Sequence, residues 1–139
     1  MTEYEEEWAD DPELFFLDEA VAPSERAEVL AAFNRAVNMS PAALKKWLDD
    51  PDSLTVGALP KGAGRVTSAG QGESVGHASG RRILLIKAKK RADLTDDDYA
   101  WMRKVIGFVA RHSKMGPAGD PKDSRWRKSL MNWGHDPVR

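Results

Sequence analysis

Thr95 is followed by three aspartates, Asp96, Asp97 and Asp98, and then by an apolar series with a helical period. A hydroxyl that can accept from the open N–H groups of a first turn, backed by acids that favour the positive end of the helix dipole, marks a helix start. At about 100° per residue, Trp101, Met102, Val105, Ile106, Phe108 and Val109 fill one wide arc of the wheel. The pattern predicts a helix from Asp96 to about Ser113, long enough that the rest of the chain has to pack around it. The opposite arc holds Arg103, Lys104, Gly107 and Arg111 and reads as a basic stripe. Gly107 within it costs about 1 kcal/mol relative to Ala and lets another backbone come close.

Other segments carry similar punctuation. Pro23 and Ser24 open a helix expected over about 24–37, with Val29, Leu30, Phe33, Ala36 and Val37 on one side. Ser40 suits an N-cap and Pro41 the first helical position of a helix to about Asp49, with Leu44, Trp47 and Leu48 facing inward. From Ser53 to Gly80 there is no helical period and there are seven glycines, so a mobile loop is expected. In GRRILLIKAKKR the aliphatics spread around the whole circumference, as in a buried strand or an enclosed helix; the lack of any partner strand favours the helix. Trp126, Leu130 and Trp133 at i, i+4 and i+7 predict a last short helix, packed inward and stopped by Gly134. The expectation is one all-α domain of about five helices over residues 23–139, with a Gly-rich basic loop at 53–80, preceded by an acidic N-terminal arm at 1–22.

Charge is sorted along the chain. Residues 1–30 hold 11 Asp/Glu against one Arg, and residues 31–139 hold 20 Lys/Arg against 11 Asp/Glu, so a net charge of -1 conceals an acidic arm and a basic body. A basic body favours an anionic partner, with nucleic acid first. Cysteine is absent, which excludes disulfides and thiolate metal sites. The first residues lack the positive and apolar regions of a signal peptide, and the longest aliphatic run, Ile83 to Ile86, is too short to span a bilayer. A cytoplasmic protein with no membrane partner is therefore expected.

Three basic elements are candidate phosphate contacts: Arg81, Arg82, Lys87, Lys89, Lys90 and Arg91 after the glycines; Arg103, Lys104 and Arg111 on the stripe; and Arg125, Arg127 and Lys128 near the end. In GQGESVGHASGRR, small residues precede two arginines at an expected helix start, where backbone N–H groups and guanidinium charge would together suit a phosphate. Neither a P-loop ending nor a GxGxxG after a strand is present, nor is GxSxG. His77, His112 and His135 do not stand at i, i+3 or i+4 from one another, and with Asp136 they form no local ligand pattern. Hence no catalytic residue, metal or cofactor is expected.

The stretches VNMSPAALKKWL, GESVGHASGRRI, ADLTDDDYAWMRKVIGFVARH and, above all, WRKSLMNWGHDP resemble the family filed as domain of unknown function 3140, over roughly residues 29–138. Its members are often labelled DNA-binding, and the resemblance implies no assigned activity. The arm lies outside the shared region, and Ala43 stands where a capping box would place Glu or Gln.

These features lead to the expectation of a non-enzymatic protein that contacts mainly the phosphate backbone of DNA, largely without sequence preference; RNA is also compatible with such contacts. The acidic arm would compete for the basic surface or hold a protein partner. The alternatives are a protein-interaction module and an enzyme using His77 and Arg81 on a phosphorylated small molecule. If the basic elements scatter rather than converge, the interaction module gains. The sequence leaves the oligomeric state open.

Overall fold

A computed structural model describes residues 20–139 other than Ala118. The greater part of the acidic arm, residues 1–19, lies outside the described residues. Five α-helices follow in order among them: α1 (Arg26–Ala36), α2 (Pro41–Leu48), α3 (Val75–Ala88), α4 (Asp96–His112) and α5 (Arg125–Asn132). Short 3-10 turns at Pro23–Glu25, Pro51–Thr55, Pro60–Gly62 and Arg91–Asp93 join them, and the described residues contain one isolated bridge, Ala58 to Arg65, but no strand. The chain is thus a small all-α fold.

Each helix begins where a side-chain oxygen satisfies the open N–H groups of its first turn or where the chain enters from a 3-10 turn. Ser40, Ser74, Thr95 and Ser124 each accept from the backbone N–H three residues on. Ser40 caps α2 without a residue at position 43 to complete the box. At α4 the box is complete, with Thr95 and Asp98 bonding each other's backbone N–H at 3.1 and 3.0 Å.

Helix α1 packs on α4, while α2, α3 and α5 contact one another. Phe33, Leu44, Ile83, Met102, Val105, Phe108 and Leu130 are fully buried between them. Trp133 stacks on Phe108 with ring centroids 4.3 Å apart, and Trp126 donates its Nε1–H to the His112 carbonyl at 2.7 Å. The C-terminal tryptophans therefore close the core over α4, as their spacing predicts.

The expected loop at 53–80 needs correction at both its end and its character. Helix α3 begins at Val75, so Gly76 and Gly80 are buried helical residues. A Cβ on Gly80 would lie 2.5 Å from the Asn132 carbonyl oxygen, and one on Gly76 would lie 2.7 Å from Trp133 Nε1. Their absent side chains let α3 and the end of α5 meet almost backbone to backbone. Glycine here marks close packing rather than a loop. The remaining segment is anchored: Val56, Ala58 and Val66 are buried, Val66 N–H donates to the Gly57 carbonyl at 2.7 Å, and Val75 N–H to the Ala58 carbonyl at 2.8 Å. GRRILLIKAKKR is helical to Ala88, with Ile83 and Ile86 buried and Leu85 facing out at 64% exposure.

Residues 20–22 also belong to the folded body, although they were expected to form part of the arm. Val21 packs on the core, and the Ala20 carbonyl accepts from Arg103 at 3.0 Å.

Candidate nucleic-acid interface

Long cationic side chains on a small helical body meet carboxylates wherever the fold brings them within reach, and six of the twelve expected phosphate contacts are seen to be occupied in this way. Arg81 and Arg82 stand in the second turn of α3, not at its start, because the helix begins at Val75. The position expected to hold a phosphate holds Glu73 instead. Arg81 forks onto this carboxylate, with Nε 2.7 Å from Oε2 and Nη2 on the other oxygen. His77 Nδ1 lies 2.6 Å from the same Oε2, and its Nε2 3.0 Å from the Leu48 carbonyl. The Arg81 hydrogen bond, aided by His77, outweighs partial burial and holds the Glu73 carboxyl below the usual carboxylate range. Glu73, His77 and Arg81 thus join α3 to the end of α2, an arrangement that leaves little room for an added anion.

Asp98, 2% exposed, organises the opposite end of α3. It accepts from Lys89 Nζ at 2.6 Å and Arg82 Nη2 at 3.3 Å, as well as from the Thr95 N–H. Burial alone would raise its pKa, but these hydrogen bonds win and hold it at about 2. Arg82 also lies over the Trp101 ring at 5.4 Å and Lys104 at 5.0 Å, with Trp101 Nε1–H donating to Ser79 Oγ at 2.9 Å. Lys87 reaches Asn34 Oδ1 at 2.6 Å, and burial lowers its pKa.

On the α4 stripe Arg103 is engaged by Glu25 at 3.0 Å as well as by Ala20. Near the chain end, Arg125 donates to the Val66 carbonyl at 2.6 Å, Arg127 forks onto Asp136 with both nitrogens at 3.0 Å, and Lys128 lies 3.8 Å from Asp52. Arg111 also has an interaction partner. The three basic elements consequently spread over the molecule. Among the twelve candidates, Lys90 and Arg91, exposed just after α3, make neither a hydrogen bond nor an ion pair through their side chains within the described residues, and half-buried Lys104 makes only its contact with the Trp101 ring.

Sequence reasoning missed the partners. Asp98 was visible as part of a helix start, and its place three residues after Thr95 was the available signal for a capping box. Asn132 gave no signal, although it is 1% exposed and links Trp47 Nε1 at 2.8 Å to the Ser53 carbonyl at 3.1 Å. Between α2 and α5 this leaves a cleft of about 450 Å³, floored by Met39, Ala43, Trp47 and Met131 and edged by Lys46 and Arg139. Among the described residues no group of three His, Asp or Glu side chains is placed to hold a metal ion, and no helix is long and apolar enough to cross a membrane.

A family model described as protein of unknown function (DUF3140) matches residues 32–131, and the chain belongs to that family. Neither a curated protein nor a solved structure matches it.

Proposed function

For this DUF3140 chain we propose weak, largely sequence-independent binding of duplex DNA through a footprint much narrower than twelve cations. The observation that supports this reading is the exposed pair Lys90 and Arg91, with half-buried Lys104 over Trp101, none of which makes an ion pair among the described residues. They belong to a body whose residues 20–139 hold 21 Lys/Arg against 13 Asp/Glu. Nearby in the chain stand Asp93, Asp96, Asp97 and Asp98, of which Asp96 and Asp98 are paired with Arg26 and Lys89, and these acids weaken the group's attraction for an anion. Such a surface positions a phosphate backbone without reading bases.

A dissociation constant on the order of 10⁻⁴ to 10⁻⁶ M near physiological salt is expected. The salt dependence provides the test, because each neutralised phosphate contributes about -0.9 to the slope of log K against log salt. Three contacts give a slope of about -3, against about -11 if all twelve cations met phosphate. Titration of a labelled duplex at several salt concentrations distinguishes these values, and absence of binding at low salt refutes the proposal.

The scatter of the three basic elements and the cleft between α2 and α5 favour a second reading, a polypeptide partner, since methionine and tryptophan floors adapt to varied apolar side chains. Ala43→Arg would fill that cleft and leave DNA affinity intact if the two surfaces are separate.

A further inference from the structure

We propose that the hollow between α1, the last turn of α3 and the turn at Arg91–Asp93 binds a small organic anion, a monocarboxylate with an aromatic or branched apolar body. The hollow has a volume of about 200 Å³. Buried Phe33 and Ile86 form its floor together with half-buried Leu30 and Leu94. Lys87, Lys89 and Arg91 also line it, and among the described residues no carboxylate does. An apolar floor beside charges of one sign selects a ligand with an apolar body and an anionic head.

Lys87 decides the sign of the ligand. Its Nζ lies 5.1 Å from the centre of the Phe33 ring and donates to Asn34 Oδ1 at 2.6 Å, a neutral amide that cannot balance its charge. Burial lowers its pKa, so the fold holds this ammonium without a full countercharge. Lys89 is committed to Asp98 at 2.6 Å, whereas Arg91 makes no ion pair among the described residues. A carboxylate beside Lys87 and Arg91 supplies the missing countercharge and accepts charge-assisted hydrogen bonds. The wall that carries these cations is already fastened. Lys89 N–H donates to the Ile86 carbonyl at 3.1 Å, Asp93 N–H to the Lys90 carbonyl at 2.9 Å, and Leu94 N–H to the Arg91 carbonyl at 3.2 Å. A dry apolar cavity of about 150 Å³ takes up benzene, so a ring fits this floor and leaves the carboxylate at the cationic rim. The inference goes beyond the nucleic-acid reading, since a phosphate backbone has no apolar body to fill the floor. Lys87 lies outside the footprint proposed for DNA.

Benzoate is the probe, titrated at constant ionic strength into the full isotope-labelled chain while amide shifts are followed. Saturable shifts are expected at residues 30–34 and 86–94, with a dissociation constant on the order of 10⁻³ M for so small a ligand. Benzyl alcohol, which keeps the ring and loses the charge, and acetate and inorganic phosphate, which keep the charge and lose the ring, should leave these amides almost unmoved at the same concentration. Lys87→Met retains the stem over Phe33 and removes the ammonium. It should keep the unfolding midpoint and weaken benzoate by about tenfold or more. The proposal is overturned by benzoate shifts that are absent or centred on the cleft between α2 and α5, by benzyl alcohol, acetate or phosphate binding as well as benzoate, or by a folded Lys87→Met chain with unchanged affinity. The ligand comparisons use the natural chain, so they decide the matter whether or not the variant folds. No DNA enters the experiment, and its failure leaves the reading above standing.

Discussion

The cations near the chain end and those at the end of α3 are of the same residue types and serve different purposes. Arg125 fastens α5 to the distant Val66 carbonyl, and Arg127 ties it to the Lys122 carbonyl and the Asp136 carboxylate on either side of the helix in sequence. Lys90 and Arg91, a short distance beyond α3, make no ion pair among the described residues. The difference shows that a basic run keeps its charge open to solvent only where the fold fails to bring an acid to it. Four experiments test or sharpen the contrast.

The largest effect belongs to the fastened region. Trp133→Ala removes the ring stacked on Phe108 and the edge against Gly76, and should cost about 3 to 5 kcal/mol in urea unfolding. DNA binding should disappear only as the domain unfolds. A variant that kept its midpoint while losing DNA would move α5 into the binding surface.

Asp98 comes next, because it ties down Lys89 and Arg82 at the edge of the open region. Its carboxyl titrates at about 2 in the folded chain against an ordinary 3.8. The lower folded value means that the ionised form stabilises the fold fully above about pH 4, and that this stabilisation is lost as pH falls toward 2. The contribution is about 2 kcal/mol. Unfolding free energies measured across this range should fall for the natural chain, and Asp98→Asn should flatten that part of the curve.

A smaller effect is expected at the open cations. Lys90→Ala combined with Arg91→Ala should leave stability within about 0.5 kcal/mol, as for surface changes generally. DNA affinity should fall roughly tenfold, with the salt slope shallower by about 2. Arg127→Ala should show the converse, lower stability with an unchanged slope, and identical behaviour of the two variants would dissolve the comparison.

The smallest effect concerns the arm. Deleting residues 1–19 removes nine acids and takes the net charge from -1 to +8, because 21 Lys/Arg then face 13 Asp/Glu. DNA binding should strengthen by a few-fold, more at low salt than at high, since a tethered acidic segment competes at roughly millimolar local concentration and salt screens it. Equal or weaker binding would remove the arm from any competing role.

The legibility of the sequence follows from the range of the interactions involved. Helix starts were readable because a cap acts within three residues, so Ser40, Thr95 and their helices lie where the pattern put them. The inward face of Trp126, Leu130 and Trp133 was readable for the same reason. Gly76 and Gly80 misled, because a glycine that opens a loop and one that admits a neighbouring backbone look alike until the neighbour is known. The candidate site was the least legible part. Whether Arg127 or Lys90 meets water depends on where Asp136 or Asp98 falls in space, and no periodicity along the chain carries that information.

Asn132 also bears on how the protein is made. Its side chain spans 85 residues to Trp47 and 79 residues to Ser53, and its carbonyl lies against Gly80. Asn38 and Ala36 likewise wait for Asp136 and His135, 98 and 99 residues later. A ribosome must therefore deliver almost the whole described chain before α2 and α3 receive the element that closes them. Until then Phe108 lacks its stacking partner and the glycine seam of α3 lies open. Such long-range closure slows folding, so the core stays incomplete until residues 132–136 have been made.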